Sequence, residues 1–189
     1  MADKSMLLFI GGAARTGKGI LVRRLLTERQ MPYLNLDVLK MGLTRGVPEY
    51  DIDPNSGAME VGDKIWSLVR EMSMSLLFDR VNYVFEGELL PRHVATLQEE
   101  FPTRVKACFL GYAKIDPAQK LDEIRMYGGY PNDWAVDYSD TDLLKIIVRE
   151  IEFSQYLVDE CAKHNLPYFD ISQNFLKTLD EVVAFVSEQ

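Results

Sequence analysis

Disulfide and metal chemistry have little material in this chain, whose 189 residues include two cysteines and two histidines. Cys108 and Cys161 both lie inside apolar stretches, where a free buried thiol is the ordinary outcome. Cys161 and His164 share a helical face, but no further ligand lies near them in sequence, so no metal centre is expected there. Positive charge is also in deficit: 21 Lys and Arg against 29 Asp and Glu leave a formal charge of -8. A general nucleic-acid surface depends on Lys and Arg neutralising phosphates, so none is expected. Any anion must be held by a local site working against the overall field. No apolar run approaches the length that spans a bilayer. The opening Met1 to Ser5, followed by a short apolar run, is too short for a signal peptide. The expected setting is cytoplasmic, with no membrane partner.

What is present is alternation. Short apolar runs alternate with longer amphipathic ones, the pattern of an α/β protein with a parallel sheet. Strands are expected at Met6 to Ile10, Tyr33 to Leu36, Asn82 to Phe85, Val105 to Leu110 and Pro167 to Ile171. Ile65, Leu68, Val69, Met72 and Leu76 recur at helical spacing, as do Leu144, Ile147, Ile151, Leu157 and Cys161 on a helix over 141–164. Asp116-Pro117 starts another helix, with Pro at its first position. Arg45 to Gly57 is rich in Pro, Gly, Asp and Asn and reads as a loop. The length suits one domain over 1–189.

The segment Ile10-Gly11-Gly12-Ala13-Ala14-Arg15-Thr16-Gly17-Lys18-Gly19-Ile20 carries the chemistry. Gly12, Gly17 and Lys18 have the spacing of a phosphate-binding loop, directly after an apolar strand and opening an amphipathic helix. Glycines let the backbone curl so that the N–H groups of residues 12–20 can face an anion, and the helix adds its positive end. Lys18 supplies a mobile charge for the β- and γ-phosphates. The usual Ser or Thr that ligates magnesium is replaced by Gly19. Metal is then left to waters, phosphates and carboxylates elsewhere, or to Thr16 if the loop geometry permits.

An Asn-Lys-x-Asp guanine signature is absent. With the loop, an Asp at the end of the second strand (Asp37) and Glu86-Gly87 at the end of the third, the chain resembles the P-loop kinase group. That group includes adenylate kinase, chloramphenicol phosphotransferase, zeta toxin and 2-phosphoglycerate kinase. The stretch Glu86 to Pro91 looks most like the last of these. The resemblance implies a three-layer P-loop NTPase fold: a five-stranded parallel sheet in order 2-3-1-4-5, flanked by helices, with a short lid at about 125–140. It also implies ATP and Mg2+ as cofactors and an acceptor side at about 45–79.

Carried onto matching positions, the resemblance makes Asp37 the residue that orients or deprotonates an acceptor hydroxyl, with Lys40 in a place often held by Arg. Asp37 also suits the N-cap of the helix that follows. Glu86 or Glu88, at the carboxyl edge of the sheet, would hold magnesium through water or contact the acceptor. Arg125 and Arg149 flank the lid and are candidates for the transferring phosphoryl group; pairing with a surface carboxylate is the plainer role for each. Gly128 and Gly129 permit lid motion, and Tyr130, Asn132 and Trp134 either cover the site or anchor the loop. The expected activity is ATP-dependent phosphoryl transfer to a small acceptor of nucleoside, nucleotide, sugar or glycerate type. The rival is a nucleotide-binding sensor without transfer. A second copy of the chain is a further candidate partner.

Overall fold

The computed structural model describes residues 6–128 and 133–187. Gly129, Tyr130 and Asn132, assigned above to the lid, lie outside the described residues.

Five strands form one parallel sheet: β1 (Leu7–Gly12), β2 (Tyr33–Asn35), β3 (Tyr83–Gly87), β4 (Val105–Gly111) and β5 (Tyr168–Asp170), in the order β2-β3-β1-β4-β5. This is the expected order. β1 is buried along its whole length, which is why it reads as an unbroken apolar run and does not alternate. Helices α1 (Lys18–Arg29), α2 (Leu36–Gly46), α3 (Ala58–Phe78), α4 (Pro91–Glu100), α5 (Pro117–Met126), α6 (Asp140–Lys163) and α7 (Phe175–Ser187) connect and cover the strands. The 45–57 stretch is largely loop, with one short 3-10 turn at Pro48–Tyr50.

Caps explain several boundaries. The Asp116 side chain accepts from the Ala118 and Gln119 N–H groups with Pro117 at the first helical position, and Ser139 caps α6 through the Asp142 N–H. The cap of α2 corrects an expectation. It is Asn35, accepting from the Asp37 and Val38 N–H groups, so Asp37 sits in the first turn with its carboxylate free of capping.

The core is aromatic where α3 meets the sheet: Phe9 and Phe85 stack at 5.3 Å and Trp66 tilts against Phe9 at 6.4 Å. The buried stripe of α3 runs through Val61, Gly62, Ile65, Val69, Ser73 and Leu77, slightly rotated from the expected one. Small residues cause the rotation. A Cβ on Gly62 would lie 3.0 Å from the Glu88 carbonyl oxygen, and Ser73 satisfies its own hydroxyl on the Val69 carbonyl at 2.7 Å.

On α6 the buried face is Leu143, Ile147, Glu150, Phe153, Ser154, Leu157 and Cys161, so Leu143 replaces the expected Leu144. The helix closes on the end of β4 at Gly111, where an added Cβ would overlap Ser154 and the Tyr168 hydroxyl. Ser154 accepts from the Tyr112 N–H at 3.1 Å and donates to the Glu150 carbonyl at 2.7 Å. That docking points the next inward position, Glu150, at the carboxyl end of β1. Both cysteines are buried free thiols, as expected, and burial pushes each up to about 12. No helix among the described residues is long and apolar enough to cross a membrane.

Candidate active site

After β1 the chain leaves for β2 on one side of the sheet and later reaches β4 on the other. The carboxyl ends of β1 and β3 therefore flank the crevice where open α/β sheets bind ligands. The loop Gly12 to Lys18 lies there. Gly12 has φ +142° and a Cβ on it would overlap the Leu110 carbonyl; Gly17 has φ +87° and a Cβ there would lie 2.8 Å from Phe175 Cζ. Both positions accept glycine for backbone and for space.

Inside the loop the side chains are tied to its own carbonyls. Lys18 Nζ donates to Gly12 O at 3.0 Å and Ala13 O at 2.6 Å, and Thr16 Oγ1 donates to Ala13 O at 2.9 Å. Thr16 is fully buried, so its hydroxyl stabilises the loop and is not presented as a ligand. α1 starts from Gly17 with no side-chain cap and no acid in its first turn, leaving its first N–H groups for an anion. Gly19 and Ile20 are exposed. A Cβ on Gly19 meets nothing within 4 Å, so no packing constraint requires glycine there.

Arg15, held at φ 61°, reaches across to the segment before the 134–137 turn. It pairs with Asp133, and its guanidinium lies 4.8 Å from the Trp134 ring centroid. Trp134 in turn meets Tyr138 edge-on at 5.6 Å. Trp134 thus ties the 134–137 turn to the 12–18 loop through Arg15.

Carboxylates converge beside the loop. β3 pairs with both β1 and β2 so that Glu86 stands opposite Ile10 and Asn35, and Asn35 Nδ2 donates to Glu86 Oε2 at 2.6 Å. Asn35 therefore caps α2 and orients Glu86 with one side chain, a role that composition alone did not signal. Burial pushes the Glu86 carboxyl above the ordinary carboxylate range, against the pull of Lys18 and with a push from Asp37. Burial raises Glu88 too, opposed by Lys40, while Asp37 and Glu150 add to the rise. Lys40 Nζ sits 2.8 Å from Asp37 Oδ1 and 3.6 Å from Glu88 Oε2. Burial works to lower its ammonium, but Glu88 and Asp37 more than offset that. Asp37 is more than half exposed at 61%, open to an incoming group.

No cluster of three or more His, Cys, Asp or Glu suited to a metal exists among the described residues. Glu86 and Glu88 offer hard oxygens beside the phosphate loop, the small donor set that Mg2+ shares with phosphates and water.

The two arginines differ. Every nitrogen of Arg125 is engaged at the turn before α6: Nε and Nη2 to Asp140 Oδ1 at 3.0 and 2.8 Å, Nη1 to Ala135 O at 2.8 Å, Nη2 also to Tyr138 O at 2.6 Å. In this conformation it braces the turn. Arg149 is half exposed, 3.4 Å from Asn55 O and 4.0 Å from Glu150 Oε1, which joins the 45–57 loop to α6 across the crevice. Arg92 is held by Asp63 at 2.6 and 2.7 Å and by the Tyr156 hydroxyl.

Sequence reasoning missed Glu150. It is 3% exposed, and its Oε2 accepts from the Ala14 N–H at 2.7 Å. The only available signal was its position one turn before Ser154 on a helix face that is otherwise apolar apart from that serine.

No protein-family model matches the chain, and no curated protein matches it in sequence. Solved structures do match in shape. An uncharacterized protein from Eubacterium ventriosum superimposes with TM-score 0.57 at 10% identity, over 98% of this chain and 100% of that one. Shikimate kinase from Bacteroides thetaiotaomicron gives 0.60 at 13%, over 97% and 99%. A gluconokinase from Sinorhizobium meliloti gives 0.55 at 15%, over 97% and 92%. The chain thus shares its overall fold, with a five-stranded parallel sheet in order 2-3-1-4-5, with these solved structures. At these identities the likeness is one of fold.

Proposed function

We propose that this chain transfers the γ-phosphoryl group of ATP to a hydroxyl-bearing small molecule held over the end of β3. One observation carries the reading: Lys18 and the Gly12 to Lys18 loop share the crevice with Asp37, Glu86 and Glu88, at the ends of three adjacent strands, β1, β2 and β3. The shape match to shikimate kinase and a gluconokinase supports it. The loop N–H groups and Lys18 bind and orient the phosphates. Asp37, exposed and steadied by Lys40, accepts the proton of the acceptor hydroxyl as the new P–O bond forms and the bond to the leaving ADP oxygen breaks. Glu86 and Glu88 would hold Mg2+ through water; the ion, when bound, neutralises phosphate charge. Arg149, at the rim, supports the transferring group. Catalysis of this kind is positioning plus charge stabilisation.

The test is ADP formation with ATP, Mg2+ and a panel of nucleosides, nucleotides, sugars and glycerate derivatives. Acceptor-dependent turnover is expected, and Lys18→Ala should lower it by about a thousandfold. Tight ATP binding with no turnover above background ATPase on any acceptor would instead favour a nucleotide sensor.

A further inference from the structure

We propose that Glu150 is a nucleotide-specificity residue: its carboxylate competes with the terminal phosphoryl group for the Ala14 N–H and so sets the preference between nucleoside tri- and diphosphates. The inference rests on the reading that the loop takes the phosphate tail of a nucleotide.

The geometry is local. Ala13 and Ala14 share one peptide unit. Its carbonyl oxygen accepts from Lys18 Nζ at 2.6 Å, and its N–H donates to Glu150 Oε2 at 2.7 Å, the length of a charge-assisted bond. The lysine of such a loop serves the β- and γ-phosphates, so this peptide marks the terminal end of the phosphate track. The N–H groups closer to the start of α1, at Gly17 to Gly19, cradle the inner phosphates.

One N–H cannot serve a carboxylate and a phosphate oxygen together. A triphosphate must take the Ala14 N–H from Glu150 and lie beside a carboxylate that is 3% exposed, where water screens little. A diphosphate, seated on the inner amides, avoids most of this conflict. Glu150 is also separable from the packing of its helix. Ser154 and the close approach at Gly111 dock α6 on β4 independently of the Glu150 carboxylate.

The experiment measures ATP and ADP dissociation constants by calorimetry on the full chain with Mg2+, for wild type, Glu150→Gln and Glu150→Ala, with thermal melts confirming folding. Glu150→Gln keeps an oxygen for the Ala14 N–H and removes the charge. It should tighten ATP on the order of tenfold and change ADP by less than about twofold; Glu150→Ala should act in the same direction. Equal tightening of both nucleotides, or no change in either, removes the competition and leaves the kinase reading standing. Weaker ATP binding in both variants overturns it by showing that Glu150 supports the loop. If folded wild type and Glu150→Gln bind neither nucleotide, the phosphate reading falls and the competition with it.

Discussion

The glycine loop after β1 and the proposed acceptor side at the ends of β2 and β3 occupy neighbouring strand ends, yet they are held in different ways. The loop is shaped by backbone: Gly12 and Gly17 take positive φ against close neighbours, and Lys18 and Thr16 bond to the loop's own carbonyls. The acceptor side is shaped by charged side chains. Lys40 bridges Asp37 and Glu88, and Asn35 steers Glu86. Backbone geometry cannot be altered without disturbing the fold, whereas side-chain charges can be changed one at a time. On the proposed function, phosphate capture would be the inflexible half of the site and acceptor chemistry the adjustable half.

This contrast can be broken in order of effect. Asp37→Asn removes the acceptor-side base without touching the loop. It should lower acceptor-dependent kcat by about a hundredfold or more while the ATP dissociation constant stays nearly unchanged; a parallel loss of ATP affinity would join the two halves into one unit. Gly12→Ala attacks the backbone half. Its Cβ would overlap the Leu110 carbonyl, so a loss of about 3 kcal/mol is expected, seen as a melting temperature lower by about 10 °C. A melting temperature within a degree of wild type would show that the loop can relax around it.

Glu88→Gln tests the charged half by pH. Burial holds the Glu88 carboxyl above its ordinary value, so the folded state favours the protonated form and ionisation above the raised pKa costs stability. The substitution should raise the melting temperature at pH 7 by about 2–4 °C. That gain should shrink as pH falls through the raised pKa and vanish below the ordinary glutamate value of about 4.3. A gain that grows on acidification would reverse the sign of the argument.

The loop was legible in the sequence because its requirements are local. A buried strand, glycines at fixed offsets and a lysine at the start of a helix are visible in one short run. The helices with strong periodicity and the strands were legible for the same reason, with end positions shifted by one or two residues. The carboxylate edge was legible only through resemblance, since Glu86-Gly87-Glu88 by itself has no period or spacing to mark it. The N-cap assignment failed because Asn35 and Asp37 are both good caps, and only strand pairing, which sets Asn35 opposite Glu86, decides between them. Arg125 and Arg149 looked equivalent in sequence. Folding engages one fully at the turn before α6 and leaves the other half exposed beside the 45–57 loop.

Sequence by itself thus determined the α/β alternation, the glycine loop that leads from β1 into α1 and the acidity of the chain, because each depends on composition or on neighbours along the chain. Tertiary structure alone decided what surrounds the loop. Arg15 meets Asp133 and Trp134, Lys40 meets Glu88, and Glu150 reaches the Ala14 N–H from a helix 136 residues further on. Such contacts depend on how α6 docks at Gly111 and how β3 registers with β1. Packing across the sheet sets them, and no local pattern encodes it.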